Sequence, residues 1–501
     1  MATSVQNQIL SMPAACTMAI AQTSFASYNG PYYSINYSMV YRVGTELHSA
    51  GAVVAQMLER QLRIGPQSAA QLTAALGVSQ PTLSRAIQRL GTSVTSFKPT
   101  GDRTPRYALL RRLSDGVGAR QHIYRVLRSG TIEPFADVEF LVGGATLERM
   151  GKVTRLYEGL PPYMVFAAPS GFLGRQVAEF ASRARTSLPP NLKDWGDDHR
   201  VVYLFTYGTN PPGNLLFGEF PVQQALEMMQ IGPTLTAEKL EHYCAMAAML
   251  RETSYGSSAG GEQPKFLSMV QDSGHVIVKF AMHGSRMAEL LPLEHLALTA
   301  LADVGVPATP TQLLASGDYV FLEVQRFDRV GPHGRVGMLS AGSVDDEFFG
   351  KRDTWTQFAA RCEQARYVSA TDVHHINVMA AFSELIGNND RHFENISLLI
   401  KEDGEYLGVA PAYDILPMRY ASIGGGVDPA LVPITPKVGA VGANPSVWSA
   451  AAWAADRFWT AVQSARLAAP ISQDIRQLAE TNRQVARDFV QPLLPAAVDK
   501  R

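Results

Sequence analysis

Cysteine is scarce in this chain: Cys16, Cys244 and Cys362 are the three among 501 residues. Their spacing fits neither a disulfide framework nor a zinc cluster, which points to a reducing, cytoplasmic setting. Long apolar runs are also missing. None approaches the roughly 18 residues that a helix needs to cross a bilayer, so no membrane association is expected. Charge is missing from the start, because Arg42 is the first charged residue. A secretory signal would carry positive charge ahead of its apolar core. Residues 1–46 are read as a disordered leader, or as an over-extended start with Met39 as the true first residue. Internal repeats are absent too.

What is present is a globular composition, 46% hydrophobic and 18% charged. The net charge of −1 hides an asymmetry. Residues 59–112 hold nine Arg/Lys against Glu59 and Asp102, about +7, which leaves about −8 on the remainder. Within that basic stretch, residues 68–90 read as two short helices joined by a turn at Gly77. Leu72 and Leu76 mark one buried stripe; Leu83, Ile87 and Leu90 mark another. Ser79 suits an N-cap and Pro81 a first turn. The second helix then offers Gln80, Thr82, Ser84, Arg85, Gln88 and Arg89 to solvent, the residue types that reach bases and phosphates. The tip around Gly101-Asp102, with Arg103 and Arg106, reads as the wing of a winged helix-turn-helix over 47–115. Such a module binds duplex DNA with strong salt dependence. A solvated helical hairpin is the plainer alternative.

Residues 120–235 are expected to be strand-rich, including Val153–Tyr157, Tyr163–Ala168 and Val201–Thr206, with turns at the paired prolines. From 236 the pattern becomes mixed. A helix over 237–251 leads to the glycine- and serine-rich segment 255–266, where Ser257, Ser258, Gly260 and Gly261 can cradle an anion and Gln263 and Lys265 lie beside it. The spacing is neither a Walker A loop nor the eukaryotic kinase glycine pattern. The strand His275–Phe280 carries Lys279, and the helix 288–304 offers Glu294, with Glu289 as rival. Glycine-rich loop, strand lysine and helix glutamate follow the order in which kinases grip phosphates.

The strongest signal is Asp390-Arg391-His392-Phe393-Glu394-Asn395. Asp-x4-Asn is the spacing that sets a catalytic base beside a magnesium ligand. Asp414, after a strand at Tyr406–Ala410, is the candidate second ligand; hard oxygen donors plus phosphates suffice for Mg2+. His392 reads as a brace for the loop, and Arg391 as a partner of Asp414 or of a phosphate. Residues 355–388 and 446–490 read as helical.

The segments SSAGGEQPK, VIVKF, FLEVQRFDR, ELIGNNDRHFENISLL and PAYDILPM resemble the HipA family of bacterial serine/threonine kinase toxins of type II toxin–antitoxin systems, over about residues 195–490. A helix-turn-helix module fused to such a kinase resembles its YjjJ subgroup. The resemblance implies a multidomain α+β protein. Its winged helix-turn-helix and strand-rich subdomain (120–235) would precede a bilobal kinase-like fold related to the phosphoinositide 3-kinase-like group, with a sheet lobe (236–328) and a helical lobe (329–495). It implies ATP and Mg2+ as cofactors and Asp390 as base. Asn395 and Asp414 would bind metal, Lys279 the phosphates, and Gln325 and Phe327 would form the adenine hinge. It also implies a protein substrate such as an aminoacyl-tRNA synthetase, autophosphorylation at Ser258 or Ser257, and a HipB-like antitoxin; a homodimer is the expectation from the helix-turn-helix, which often works as a dimer on two half-sites. Two departures stand out. The DNA-binding module lies in cis, and residues 331–355 lack the family's acidic His-Glu-Asp-type motif. A nucleotide-sensing transcriptional regulator with an inactive kinase body is the competing reading.

Overall fold

The structure is a computed structural model that describes residues 50–184, 187–253, 263–423 and 427–495. Ser257, Ser258, Gly260 and Gly261, the leader and Cys16 lie outside the described residues. The described chain divides into two compact units. The smaller takes the residues up to Ile123 together with Phe135–Pro161, and the larger takes Tyr124–Pro134 and everything from Pro162.

In the smaller unit, α1 (Ala50–Leu62) is followed by β1 (Gln67–Ser68), α2 (Ala69–Leu76) and α3 (Gln80–Leu90). Ser68 and Gln71 form a capping box at the start of α2, and Gly77 closes it with φ 63°, a conformation that costs glycine least. Ser79 caps α3 by position only, since its hydroxyl bonds the Thr82 hydroxyl at 3.0 Å. Leu58, Leu62, Leu72, Leu83 and Ala86 form the core, while Ile87 and Leu90 only pack against it. β2 (Val94–Phe97) and β3 (Arg106–Leu109) make an antiparallel hairpin, and β1 pairs with the other edge of β3. Strands β4 (Ile132–Phe140), β5 (Thr146–Met150) and β6 (Val153–Tyr157) follow as an antiparallel meander. Buried Glu139 ties it to the hairpin, taking Thr95 at 2.6 Å, Arg120 at 2.9 Å and Arg149 at 3.1 Å.

Two expected strands are helices. Tyr163–Ala168 falls in the helix Pro162–Ala167, and Val201–Thr206 in the helix Asp197–Tyr207. A short apolar run does not distinguish a buried strand from a buried helix. Pro162 pre-sets the first turn of one, and Asp197 and Asp198 favour the N-terminus of the other.

The larger unit contains a four-stranded antiparallel sheet. Its strands are β7 (Lys265–Val270), β8 (Gly274–Met282), β9 (Thr311–Ala315) and β10 (Tyr319–Gln325), in the order β9-β10-β8-β7. One face packs on α4 (Lys239–Thr253) through Tyr243, Phe266, Val276, Val278, Phe280 and Phe321. The opposite face carries Ala281, Leu322 and Val324 against α5 (Arg286–Asp303). β11 (Gly337–Ser340) leads through α6 (Ala341–Phe348), α7 (Trp355–Gln364) and α8 (Ala370–Ile386) to the hairpin β12 (Ser397–Ile400) and β13 (Tyr406–Val409). α9 (Pro445–Ser464) and α10 (Gln473–Val490) close a core built on Phe382, Trp448, Phe458 and Trp459. The helical stretch 355–388 is thus two helices, broken where Arg366 takes φ 61° and Ser369 caps α8 with Asp372.

Candidate active site

Register positions the first half of the site. On antiparallel β7 and β8, Lys265 stands directly opposite Lys279, so both side chains share one face. Lys279 is buried, and its ammonium lies 2.6 and 2.7 Å from the two Glu294 oxygens and 2.6 Å from Asp414. Glu294 is the partner because Glu289 is taken by Arg286 at 2.7 Å. Burial works against the Lys279 charge, but Asp414 and Glu294 outweigh it and raise its pKa. Burial likewise opposes the Asp414 anion, yet Lys279 and then Lys265 hold it well below the usual carboxylate range. For Glu294, burial pushes the carboxyl upward against the pull of Lys279.

Asp414 has φ 55°, an uncommon conformation for a residue with a side chain. The two residues ahead of it are anchored. Ala412 pairs with Ala308 in a parallel bridge, and the Tyr413 hydroxyl donates to the Glu394 carbonyl at 2.8 Å. Backbone strain maintained by its surroundings is a mark of functional segments.

The second half is the turn after α8. Gly387 ends that helix at φ 77°, and a Cβ there would meet the Ile434 side chain at 3.1 Å. The Asn388 side chain accepts the Asp390 amide at 3.0 Å, and the Asn395 amide donates to the Asp390 carbonyl at 2.9 Å. That bond uses the Asn395 nitrogen; its oxygen is a hard donor of the kind that magnesium takes. Phe393 anchors the loop in the core, 5.4 Å from Phe358, and Trp355 donates to the His392 carbonyl at 3.1 Å. The Asp390 carboxylate is left 43% exposed, open to an incoming substrate. His392 braces it from 3.6 Å and sits 3.2 Å from Glu394; the hydrogen bond to Glu394 raises its pKa. Arg391 pairs with Glu384 of α8 at 2.5 Å rather than with Asp414.

Other expected residues fall as follows. Gln263 has a buried side-chain nitrogen with no hydrogen-bond partner among the described residues. The backbone of Gln325 is engaged internally, its N–H with Pro310 at 3.0 Å and its carbonyl with the Thr309 hydroxyl at 2.7 Å. Of the two hinge candidates, Phe327 faces the Asp414 segment, with its ring 5.4 Å from Tyr413. The sequence reading missed Arg352. It holds φ 41° and joins Asp346 to Glu394, at 2.6 Å each. Buried Asp345 sets that turn by accepting the Lys351 and Arg352 amides. The signal was the acidic run at 345–347 followed by Lys351-Arg352, within the stretch read as lacking its acidic motif. Among the described residues no group of three or more His, Cys, Asp or Glu could hold a metal; an Asn–Asp pair is a different kind of site.

In the smaller unit, Gln80, Ser84, Arg85 and Gln88 are exposed on α3 and Thr82 is half-buried. Arg89 is exposed as well, with its guanidinium against Gly51 of α1. At the hairpin tip Arg103 is exposed and Arg106 pairs with Asp102 at 2.7 Å.

No helix among the described residues is long and apolar enough to cross a membrane. Two family models match the chain: the HipA-like C-terminal domain over residues 257–490 and the YjjJ-like toxin middle domain over residues 117–226. Distant likeness extends to the Shewanella oneidensis MR-1 toxin–antitoxin complex of HipA, HipB and operator DNA. There the TM-score is 0.45 and the identity 14%, covering 75% of this chain and 100% of that one. The Helicobacter pylori proinflammatory kinase CtkA matches with a TM-score of 0.34 and 12% identity, over 48% and 92% of the two chains. The toxin YjjJ of Escherichia coli strain K12 is 32% identical over 442 residues, 84% of this chain and 96% of the relative. Similarity of that order along nearly the whole relative, with both domain matches in sequence, places the chain in the HipA family, among the YjjJ-like toxins.

Proposed function

We propose that this chain is an ATP-dependent serine/threonine protein kinase that restrains growth and carries its own DNA-binding module. The observation that carries the reading is Lys279 held between Glu294 and Asp414. A strand lysine paired with a helix glutamate is how kinases aim an ammonium at the α- and β-phosphates. Lys265, opposite it in register, adds positive charge toward the same space. Asn395 and Asp414 supply the oxygen donors that would hold Mg2+, which when bound neutralises phosphate charge. Asp390 orients the substrate hydroxyl and accepts its proton. The bond from the γ-phosphorus to the bridging oxygen breaks, and a bond to the serine oxygen forms. Glu294, Asn388 and the Arg352–Glu394–His392 chain keep these groups aimed. Aminoacyl-tRNA synthetases, and Ser258 or Ser257 of the chain itself, are the first acceptors to examine. Incubation with γ-labelled ATP, with and without cell extract, tests the reading. Label on this chain or on an extract protein supports it, and none in either sinks it.

The helices α2 and α3 with a β1-β3-β2 sheet support the reading of a winged helix-turn-helix that presents Arg85 and Gln88 to duplex DNA. An antitoxin and a second copy of the chain are the partners this reading expects. Gel shifts over a salt series check the DNA module, and no retardation at low salt would remove it.

A further inference from the structure

A second buried charge cluster lies in the larger unit, unused by the chemistry above. The segment after β10 runs Arg326-Phe327-Asp328-Arg329 and returns at Arg335. Arg326, Asp328 and Arg335 are 8%, 4% and 7% exposed, and the Arg329 side chain 3%. Three guanidiniums thus surround one carboxylate. Asp328 takes Arg326 at 2.8 Å and Arg329 at 2.7 Å. The remaining partners are neutral oxygens: Asn210 Oδ1 and the carbonyls of Thr209, Pro211 and Gly213. They satisfy hydrogens without cancelling charge, so two positive charges stay uncompensated in a dehydrated place. Burial pushes Arg335 down to about 10 and neighbouring His275 down to about 4, so His275 adds no charge at neutral pH.

These residues line a cavity of about 130 Å³. Arg335 Nη1 and His333 Nδ1, both on that lining, are buried with no hydrogen-bond partner among the described residues. The same lining has an apolar part, formed by Met228, Met229, Leu267 and Met269. We propose that this cavity binds a small phosphate monoester, its head on Arg335, His333 and the adjoining guanidiniums and its organic part on the methionine wall. A phosphate monoester carries about −1.5 to −2 charges at neutral pH, matching the surplus; a carboxylate carries one. Guanidinium forks suit phosphate oxygens.

The cavity is separate from the candidate active site and does not rest on the kinase reading. His275 and Lys279 lie on one face of β8, four residues and about 13 Å apart along the strand. Arg326 adjoins Gln325 and Phe327, and its amide donates to the His275 carbonyl at 2.9 Å. A bound monoester would therefore brace the segment that holds Phe327.

The test is calorimetry and thermal denaturation of the full chain with n-butyl phosphate and, separately, orthophosphate, in saturating non-hydrolysable ATP analogue. One saturable site for butyl phosphate is expected, with weaker binding of orthophosphate. Arg335→Met should weaken butyl phosphate binding by about tenfold or more without lowering the Tm of the ligand-free protein, because it removes an uncompensated buried charge. A purely structural arginine would lower that Tm. Arg335→Lys, which keeps the charge but loses the fork, should also weaken binding and decides the matter if Arg335→Met does not fold. No saturable binding at millimolar concentration, binding indifferent to both substitutions, orthophosphate binding as tightly, or competition with the nucleotide analogue would each overturn the proposal.

Discussion

The larger unit holds two charge clusters that are balanced differently. Around Lys279, one ammonium bonds two carboxylates, Glu294 and Asp414, and Lys265 opposite it in register evens the count. Around Asp328, one carboxylate faces three guanidiniums. An ion held away from water costs several kcal/mol unless it is compensated, at about this order. A buried surplus therefore calls for a ligand of the other sign, and a balanced cluster does not. The first cluster offers both signs, ammoniums for phosphates and Asp414 for a cation carried with them, whereas the second has the sign that suits an anion. The two carboxylates of the first cluster also differ. Asp414 is a third exposed and can exchange partners, whereas Glu294 is fully buried and serves only to hold Lys279.

The largest expected effect breaks the first cluster. Lys279→Met strands Glu294 in the interior and should cost about 3–5 kcal/mol in denaturant unfolding, besides abolishing phosphotransfer. The double variant Lys279→Met/Glu294→Met should recover most of the stability and none of the activity. If the single variant is as stable as the wild type, the pair is not the buried support described here. Next comes Arg352→Ala, which releases Glu394 and with it His392 and Asp390. Turnover should fall roughly tenfold, the equivalent of one charge-assisted hydrogen bond, with partial rescue by Arg352→Lys. Wild-type kcat in Arg352→Ala would remove it from the positioning chain. The smallest effect concerns the other unit: Arg103→Ala should reduce the slope of log affinity against log salt for duplex DNA by about 1. An unchanged slope would mean that the hairpin tip does not touch phosphate.

Contiguous chemistry was legible in the sequence. Lys279, Glu294 and Asp414, each read from its own short motif, meet within 2.7 Å, and the strand Tyr319–Gln325 and helix α5 lie where periodicity sets them. The helices at Pro162–Ala167 and Asp197–Tyr207 were not legible, because short apolar runs look alike in a strand and in a buried helix. Long-range pairing was hidden as well. Arg391 turns to Glu384 because α8 presents that carboxylate one turn before its end, and Arg352 reaches Glu394 across 42 positions of chain. The arginine cluster depends on acceptors from residues 209–213, more than a hundred positions upstream. No spacing rule joins such segments; only the folded sheet does.

The central claim is that Asp390 is the base of a phosphotransfer site. The direct measurement is the rate of label transfer from γ-labelled ATP by the wild-type chain and by Asp390→Asn, at matched folding stability. The account predicts measurable transfer by the wild type and a fall of about 10²–10⁴-fold in the variant, with nucleotide binding retained. Equal transfer by the two proteins would contradict it.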